Sequence, residues 1–219
     1  MKILALEFSS RLRGAAVLEV HPPAPLLLGH SSDLGGRRSL SLVEEALEQA
    51  ACQPEDIDTL AVGLGPGSYT GIRGAIALAQ GWQAARGVRL LGISTVECLA
   101  AQAQAQGMRG LVNIVIDAQR GEFYLAGYHL DALSGWQEVQ ALRLEPSALI
   151  QDLTEQGQPV LGPDIVSLFP AARDLYPEAA VLGRLASGRR DFVAAENLEP
   201  IYLRETAFKK APPARFSAP

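Results

Sequence analysis

Histidine and cysteine are scarce in this chain, and their scarcity removes whole classes of chemistry. Histidine occurs three times, at His21, His30 and His129, with no two at metal-ligand spacing. A zinc peptidase needs about three protein ligands around an open position, and these scattered residues supply no such cluster. The two cysteines, Cys52 and Cys98, cannot build a disulfide framework, so a reducing compartment is expected. Neither has the surroundings of a thiolate nucleophile: Cys52 follows a Glu-rich helix and Cys98 falls in an apolar one. No G-x-S-x-G motif is present. Long apolar runs are missing too, since none approaches the roughly 20 uncharged residues that span a bilayer. The opening MKILALE stops at Glu7, short of a signal peptide. Together these absences predict a soluble, cytoplasmic protein.

An excess of positive charge is also lacking. The 219 residues carry 24 acidic and 19 basic side chains, a net charge of −5, which disfavours a large phosphate-binding surface. The charge is unevenly spread. Residues 41–60 hold six acids and no Lys or Arg, whereas residues 61–96 hold no acid and only Arg73, Arg86 and Arg89. With 48% apolar and 20% charged residues, the chain is an ordinary globular composition, long enough for one large domain or two small ones.

What is present reads as strands first. Residues 2–8, 14–20 and 25–30 are apolar runs separated by turn-forming segments. The period then changes: Leu40, Val43, Ala46, Leu47 and Ala50 form a helical stripe starting near Ser39. A strand at 59–64, a helix at 71–86, a strand at 89–93 and a helix at 95–106 follow. The second half repeats the grammar, with strands at 111–116, 122–128 and 137–144, a helix at 146–155, a strand at 159–161 and a helix from Pro163. Leu6-Glu7 matches Ile116-Asp117, and Arg13-Gly14 matches Arg120-Gly121. This pattern predicts an internal duplication of an α/β unit: an antiparallel meander extended by parallel strands, the ribonuclease-H-like arrangement. Two such lobes, 1–106 and 107–203, would form the actin/Hsp70/sugar-kinase (ASKHA) architecture, followed by a basic, Pro-containing tail at 204–219. Glu7 and Asp117 would then point into one cleft, with Ser9, Arg120 and Gly121 as weak nucleotide-cleft candidates. Alternatively, each carboxylate merely ends a strand and caps a turn.

Residues 63–74 place five glycines between a strand and a helix. Glycine permits positive φ and close backbone approach, and a helix N-terminus offers free N–H groups to an anion. The spacing matches neither a P-loop nor G-x-G-x-x-G, so tight packing or contact with another chain is the favoured role. The helix that follows carries Ile72, Ala75, Ile76 and Ala79 on one face and Gly71, Gly74, Leu78, Trp82 and Ala85 on the other. A helix that is small or apolar on both sides needs cover on both sides. The expected protein–protein interface runs through Leu40, Val43 and Leu47 of the first helix and Ile72, Ala75, Ile76, Ala79 and Gln83 of the second. A bulky charge at Ala75 or Ala79 should then abolish oligomerisation without unfolding the chain. Trp82 and Trp136 are expected to be packing residues, and Arg37-Arg38 and Arg189-Arg190 solvated loop charge.

The segment Gly65-Pro66-Gly67-Ser68-Tyr69-Thr70-Gly71-Ile72-Arg73 closely resembles the G-P-G-S-[FY]-T-G-[LI]-R signature of the TsaB family. Further matches follow in the family's order: Ile3 through Ser10, Ser94-Thr95 with Glu97, Asp117 through Glu122, and Pro200-Ile-Tyr-Leu-Arg204. The resemblance implies a two-lobed actin-like fold and a non-catalytic subunit with no cofactor, working in the formation of threonylcarbamoyladenosine beside the tRNA anticodon. It implies a TsaD-type catalytic partner, met through the first two helices, a TsaE-type ATPase joining the assembly, and TsaC supplying threonylcarbamoyl-adenylate. Alone, the same surface would form a homodimer.

Two departures accompany the resemblance. The catalytic relative carries a His-x-x-x-His metal pair on its first helix, and Arg37 through Leu47 contain no histidine here. The family's first strand commonly ends in Asp, which is Glu7 here. The competing reading is an ATPase or small-molecule kinase of the same fold using Glu7 and Asp117, with catalysis resting on positioning and a divalent ion. The tail, with Arg204, Lys209, Lys210 and Arg215 against Glu205, is expected to make weak contacts to tRNA or to a partner.

Overall fold

The computed structural model describes residues 1–34 and 39–203. Arg37-Arg38 and the basic tail at 204–219 lie outside the described residues. Two five-stranded sheets form the framework. The first is built from β1 (Lys2–Glu7), β2 (Arg13–Glu19), β3 (Leu26–Asp33), β4 (Thr59–Gly63) and β5 (Arg89–Ile93), in the order β3-β2-β1-β4-β5. The second holds β6 (Gly110–Asp117), β7 (Glu122–Asp131), β8 (Gly135–Pro146), β9 (Val160–Gly162) and β10 (Arg173–Asp174), in the order β10-β9-β6-β7-β8. Counted from β3 and from β8, the two orders are the same: an antiparallel meander, then two parallel strands. These are two ribonuclease-H-like lobes in the actin-like arrangement. The strand ends Glu7 and Asp117 correspond, but the Arg-Gly match does not hold: β1 closes its hairpin at Glu7↔Gly14 and β6 at Asp117↔Phe123, so Gly14 corresponds to Phe123, and Arg120-Gly121 lies in the turn before β7.

Among the described residues the helices are α1 (Ser39–Gln49), α2 (Tyr69–Arg86), α3 (Thr95–Ala105), α4 (Ser147–Glu155) and α5 (Ala179–Ser187). Successive side chains of a strand point to opposite faces, so β1 divides between two cores. Leu4 and Leu6 join Leu60, Val62 and Leu90 beneath α1 and α2. Ile3 and Ala5 join Ala16, Leu18, Ala61 and Leu91 on the reverse side. A strand buried on both faces must be apolar throughout, which is why the first sheet reads as continuous hydrophobic runs.

The cover on that reverse side comes from the far end of the chain. Helix α5 packs on β1 and β2, placing Ala179, Leu182 and Ala186 in the first lobe's core. Helix α3 makes the reciprocal move, setting Val96, Leu99 and Ala103 against Val112, Ile114 and Tyr124 of the second sheet. The remaining face of the second sheet is closed by Ile150 of α4 and by a turn carrying Ile165 and Phe169, the latter edge-on to Phe123 at 5.1 Å. Residues 189–203 then run back along the first lobe. Val193 bridges to Leu90, Leu198 is buried, and the Ile201 N–H donates to the Leu64 carbonyl at 2.8 Å. Residues 179–201 therefore pack with the first lobe, although the division 1–106 and 107–203 assigns them to the second.

Two further expectations change. No helix begins at Pro163: residues 163–168 are turns, Asp164 sits at φ +57°, and Pro170 closes the stretch. Ile165 and Phe169 are four apart and both buried, a spacing that mimics one helical turn. The helix lies instead at α5, after Pro177, where an apolar run ends at Gly188. Arg189 is not free loop charge. Its guanidinium grips both Glu97 carboxylate oxygens of α3, at 2.5 and 2.6 Å, pinning the exchanged helices together. Cys52 and Cys98 are both buried and in no disulfide, and Trp136 packs between the lobes against both cores. No described helix is long and apolar enough to cross a membrane.

Candidate functional site

The glycine segment builds the start of α2. Ser68, in extended geometry, caps the helix by accepting the Gly71 N–H at 3.3 Å, and Gly87 at φ +69° ends it. Ahead of the cap, the Ser68 N–H donates to the Ser9 carbonyl at 2.6 Å. A Cβ at Gly67 would lie 2.1 Å from the Ser9 carbonyl oxygen, and one at Gly71 would lie 1.9 Å from that of Phe8. Glycine is required at both because the loop and the first helical turn rest directly on the backbone after β1. The N–H groups of Ser68 and Gly71 are spent inside the lobe, and Pro66 has none. The loop thus sets the base of α2. Gly65, Pro66 and Gly71 are buried, while Tyr69, Thr70 and Arg73 face outward.

The cleft candidates separate. Glu7 and Ser9 are buried, Glu7 with 0% exposure. One Glu7 oxygen accepts the Ser9 N–H at 2.8 Å and the other lies 3.4 Å from Thr95 Oγ1, which also donates to Ser9 Oγ at 3.0 Å. Burial pushes the Glu7 carboxyl pKa up, against the lowering effect of its bonds to Ser9 and Thr95. Asp117 accepts the Gln119 N–H at 2.6 Å and the Gln119 side-chain amide at 3.0 Å. That bond shapes the turn in which Gln119, Arg120 and Gly121 all take positive φ, with Arg120 and Gly121 exposed. Each carboxylate is engaged at the end of its own strand, Glu7 sealed from solvent and Asp117 bonded to its own turn. Where the lobes do meet, Arg11 pairs with Asp164 at 2.7 Å, and the Tyr176 hydroxyl bonds to both. With 153 positions between Arg11 and Asp164, no sequence spacing signals that pair. Among the described residues, no group of three or more His, Cys, Asp or Glu could hold a metal ion.

The outer faces of α1 and α2 form an open groove of about 470 Å³. Val43 and Leu47 make its floor, and Leu40, Leu78, Trp82, Ala77, Gly81 and Ala85 its walls. Leu40 is 55% exposed at the rim, and an Arg86–Glu55 ion pair of 2.6 Å closes one end. The rest of the expected interface is not on this surface. Ile72, Ala75, Ile76 and Ala79 are buried between α2 and its own sheet, in the core with Leu6, Leu60 and Val62. Gln83 is half-buried and donates to the Val88 carbonyl at 3.3 Å, within its own C-terminal turn. The free face is the other one, with Gly74, Ala77, Gly81 and Ala85 exposed. Gly74 and Gly81 are seven residues apart and share that face. Among the described residues, a Cβ at either would meet nothing within 4 Å.

Comparison with known proteins bears on this arrangement. The sequence profile of TsaD, tRNA N6-adenosine threonylcarbamoyltransferase, matches residues 36–140. The tRNA threonylcarbamoyladenosine biosynthesis protein TsaB of Escherichia coli (strain K12) is 33% identical over 198 residues, covering 80% of this chain and 84% of its own. TsaB of Bacillus subtilis (strain 168) is 27% identical over 161 residues, covering 74% of this chain and 69% of its own. Among solved structures, YeaZ from Pseudomonas aeruginosa superposes with a TM-score of 0.74 at 28% identity, over 92% of this chain and 99% of that one. Sequence identity over most of both chains, together with the same two-lobed fold, places this chain in the TsaB family.

Proposed function

We propose that this chain is a non-catalytic scaffold and activator in the formation of N6-threonylcarbamoyladenosine in tRNA, acting by pairing with a TsaD-type catalytic subunit through the outer face of α1 and α2. The observation that carries this reading is the pair Gly74 and Gly81. An interior helical glycine costs about 1 kcal/mol relative to alanine. Among the described residues, nothing requires glycine at either position. Both stand on the exposed face beside an apolar groove. Small residues on a helix face let another helix or backbone come close, so their cost is offset in a complex. A TsaE-type ATPase joins that complex, and in the cytoplasm the free chain pairs with itself through the same face. The ATPase or kinase alternative loses its first-lobe carboxylate, since Glu7 is sealed from solvent.

The test is co-expression with the TsaD-type subunit, followed by a tRNA modification assay with and without this chain. The complex should co-purify, and modification should fail when this chain is omitted. Ala77→Glu or Ala85→Glu, both on the exposed face, should abolish co-purification while leaving unchanged the melting temperature of the free chain, measured at concentrations low enough that it is monomeric. Modification that proceeds undiminished without this chain refutes the proposal.

A further inference from the structure

A second outward-facing feature stands at the N-terminal end of α2. Tyr69 is 55% exposed and Tyr202 38% exposed, and their rings lie 5.3 Å apart at 32°. Arg73, one turn along α2, donates to the Tyr69 hydroxyl and holds its guanidinium 5.2 Å from that ring's centre. The pair is held in place from both sides: Tyr69 follows the Ser68 cap, and Tyr202 follows Ile201, whose N–H is tied to the Leu64 carbonyl at 2.8 Å. Two large rings in solvent contribute little to the lobe's own core, and neither belongs to the groove between α1 and α2.

We propose that Tyr69, Arg73 and Tyr202 form a platform on which an unpaired base of RNA stacks, so that this chain touches RNA directly. A sequence-tolerant single-strand site combines aromatic faces with cationic groups that follow the phosphates. Both elements are present. Residues 61–96 contain no acidic side chain to repel phosphate. The chain continues past Leu203 into sixteen residues that carry Arg204, Lys209, Lys210 and Arg215 against the single acid Glu205. Burial and the neighbouring Tyr69 push the Tyr202 phenol up to about 12, so it stays neutral and able to donate to a phosphate. A protein segment is the other class of occupant. The guanidinium of Arg73 beside two exposed rings, on a helix whose stretch 61–96 carries no acid, favours a polyanion with flat faces. This contact lies outside the pairing face of α1 and α2.

The experiment measures fluorescence anisotropy of the full chain with a labelled single-stranded uridine 12-mer, and with an RNA duplex of equal length, across a salt series. The full chain should bind the single strand more tightly than the duplex. Tyr69→Ala and Tyr202→Ala should each weaken binding by about 5- to 100-fold, while Tyr202→Phe retains most of it. Arg73→Gln and removal of residues 204–219 should lower the slope of log affinity against log salt. Thermal melts confirm that each variant is folded; should Tyr202→Ala not be, the exposed Arg73→Gln and Tyr69→Ala carry the test. No binding by the full chain, or unchanged binding by the alanine variants, overturns the inference. So does loss of co-purification with the TsaD-type subunit while RNA binding persists, which assigns the rings to a protein contact. Co-purification is scored separately, so failure here leaves the pairing proposal standing.

Discussion

Replacing Gly74 and Gly81 of α2 together by alanine sets stability against assembly. Both are interior positions of an eighteen-residue helix, and an added Cβ at either meets nothing within 4 Å among the described residues. Each alanine therefore gains helix propensity of about 1 kcal/mol with no steric penalty. The double variant should be more stable by about 2 kcal/mol, equivalent to roughly 4–8 °C in Tm for a chain of this length. The gain is read by thermal melts and urea unfolding, at concentrations low enough that Tm no longer depends on concentration. Pairing should move the other way. Two methyl groups placed where a partner's backbone approaches overpack the contact by about 1–3 kcal/mol, a loss of about 5- to 150-fold in affinity for the TsaD-type subunit. Titration calorimetry or co-purification under limiting partner measures that loss. A double variant that is more stable yet pairs as tightly as the original chain would refute the idea that close approach explains these glycines. A variant that is not stabilised would show that the glycines serve the isolated fold after all.

Three further outcomes follow from the packing. Ala75→Asp and Ala79→Asp, each placing a charge in the core beneath α2, should unfold the first lobe rather than merely dissociate an oligomer. Loss of the cooperative melt by circular dichroism checks this, and a folded monomer contradicts it. Glu7→Gln should raise stability at neutral pH, because its neutral amide keeps the bond from the Ser9 N–H without a buried charge. Since the folded carboxyl pKa is raised, the original chain's proton-linked stability is complete below the unfolded value and is lost as pH rises through the folded one. The variant's advantage should accordingly grow with pH above about 4.5 and be absent below it, as followed by urea unfolding across pH. A variant that is less stable at every pH would mean the charge itself is needed. Arg189→Gln breaks the ion pair that one guanidinium nitrogen makes with both Glu97 oxygens, between α3 and the end of α5, and should cost about 1–3 kcal/mol in denaturant unfolding. An effect below a few tenths would show that the pair does not fasten the exchanged helices.

The strands and most helices were legible because their signals are local. Period-2 alternation is masked in β1 and β4 by burial on both faces, but their apolar runs and flanking turns still mark them. Helix α2 announced itself through Ser68 and Gly87, its two ends. The turn at 163–168 misled for an equally local reason, an apolar pair at helical spacing with a proline at the start. Helix α5 was missed although Pro177, the apolar run and Gly188 mark it, because its core partners lie more than 150 residues away in β1 and β2.

The amino-acid order alone established the duplicated α/β plan, the glycine segment that carries the family resemblance, and a second helix needing cover on both faces. All three are written in residues that are near neighbours in the chain. Only the tertiary structure decided which face of α2 the sheet takes, that α3 and α5 are exchanged between the lobes, and that Glu7 is sealed while Asp117 caps its own turn. Those outcomes depend on competition between distant segments for the same buried surface. Periodicity says that a face is apolar; only packing says what covers it, and so which one is left for a partner.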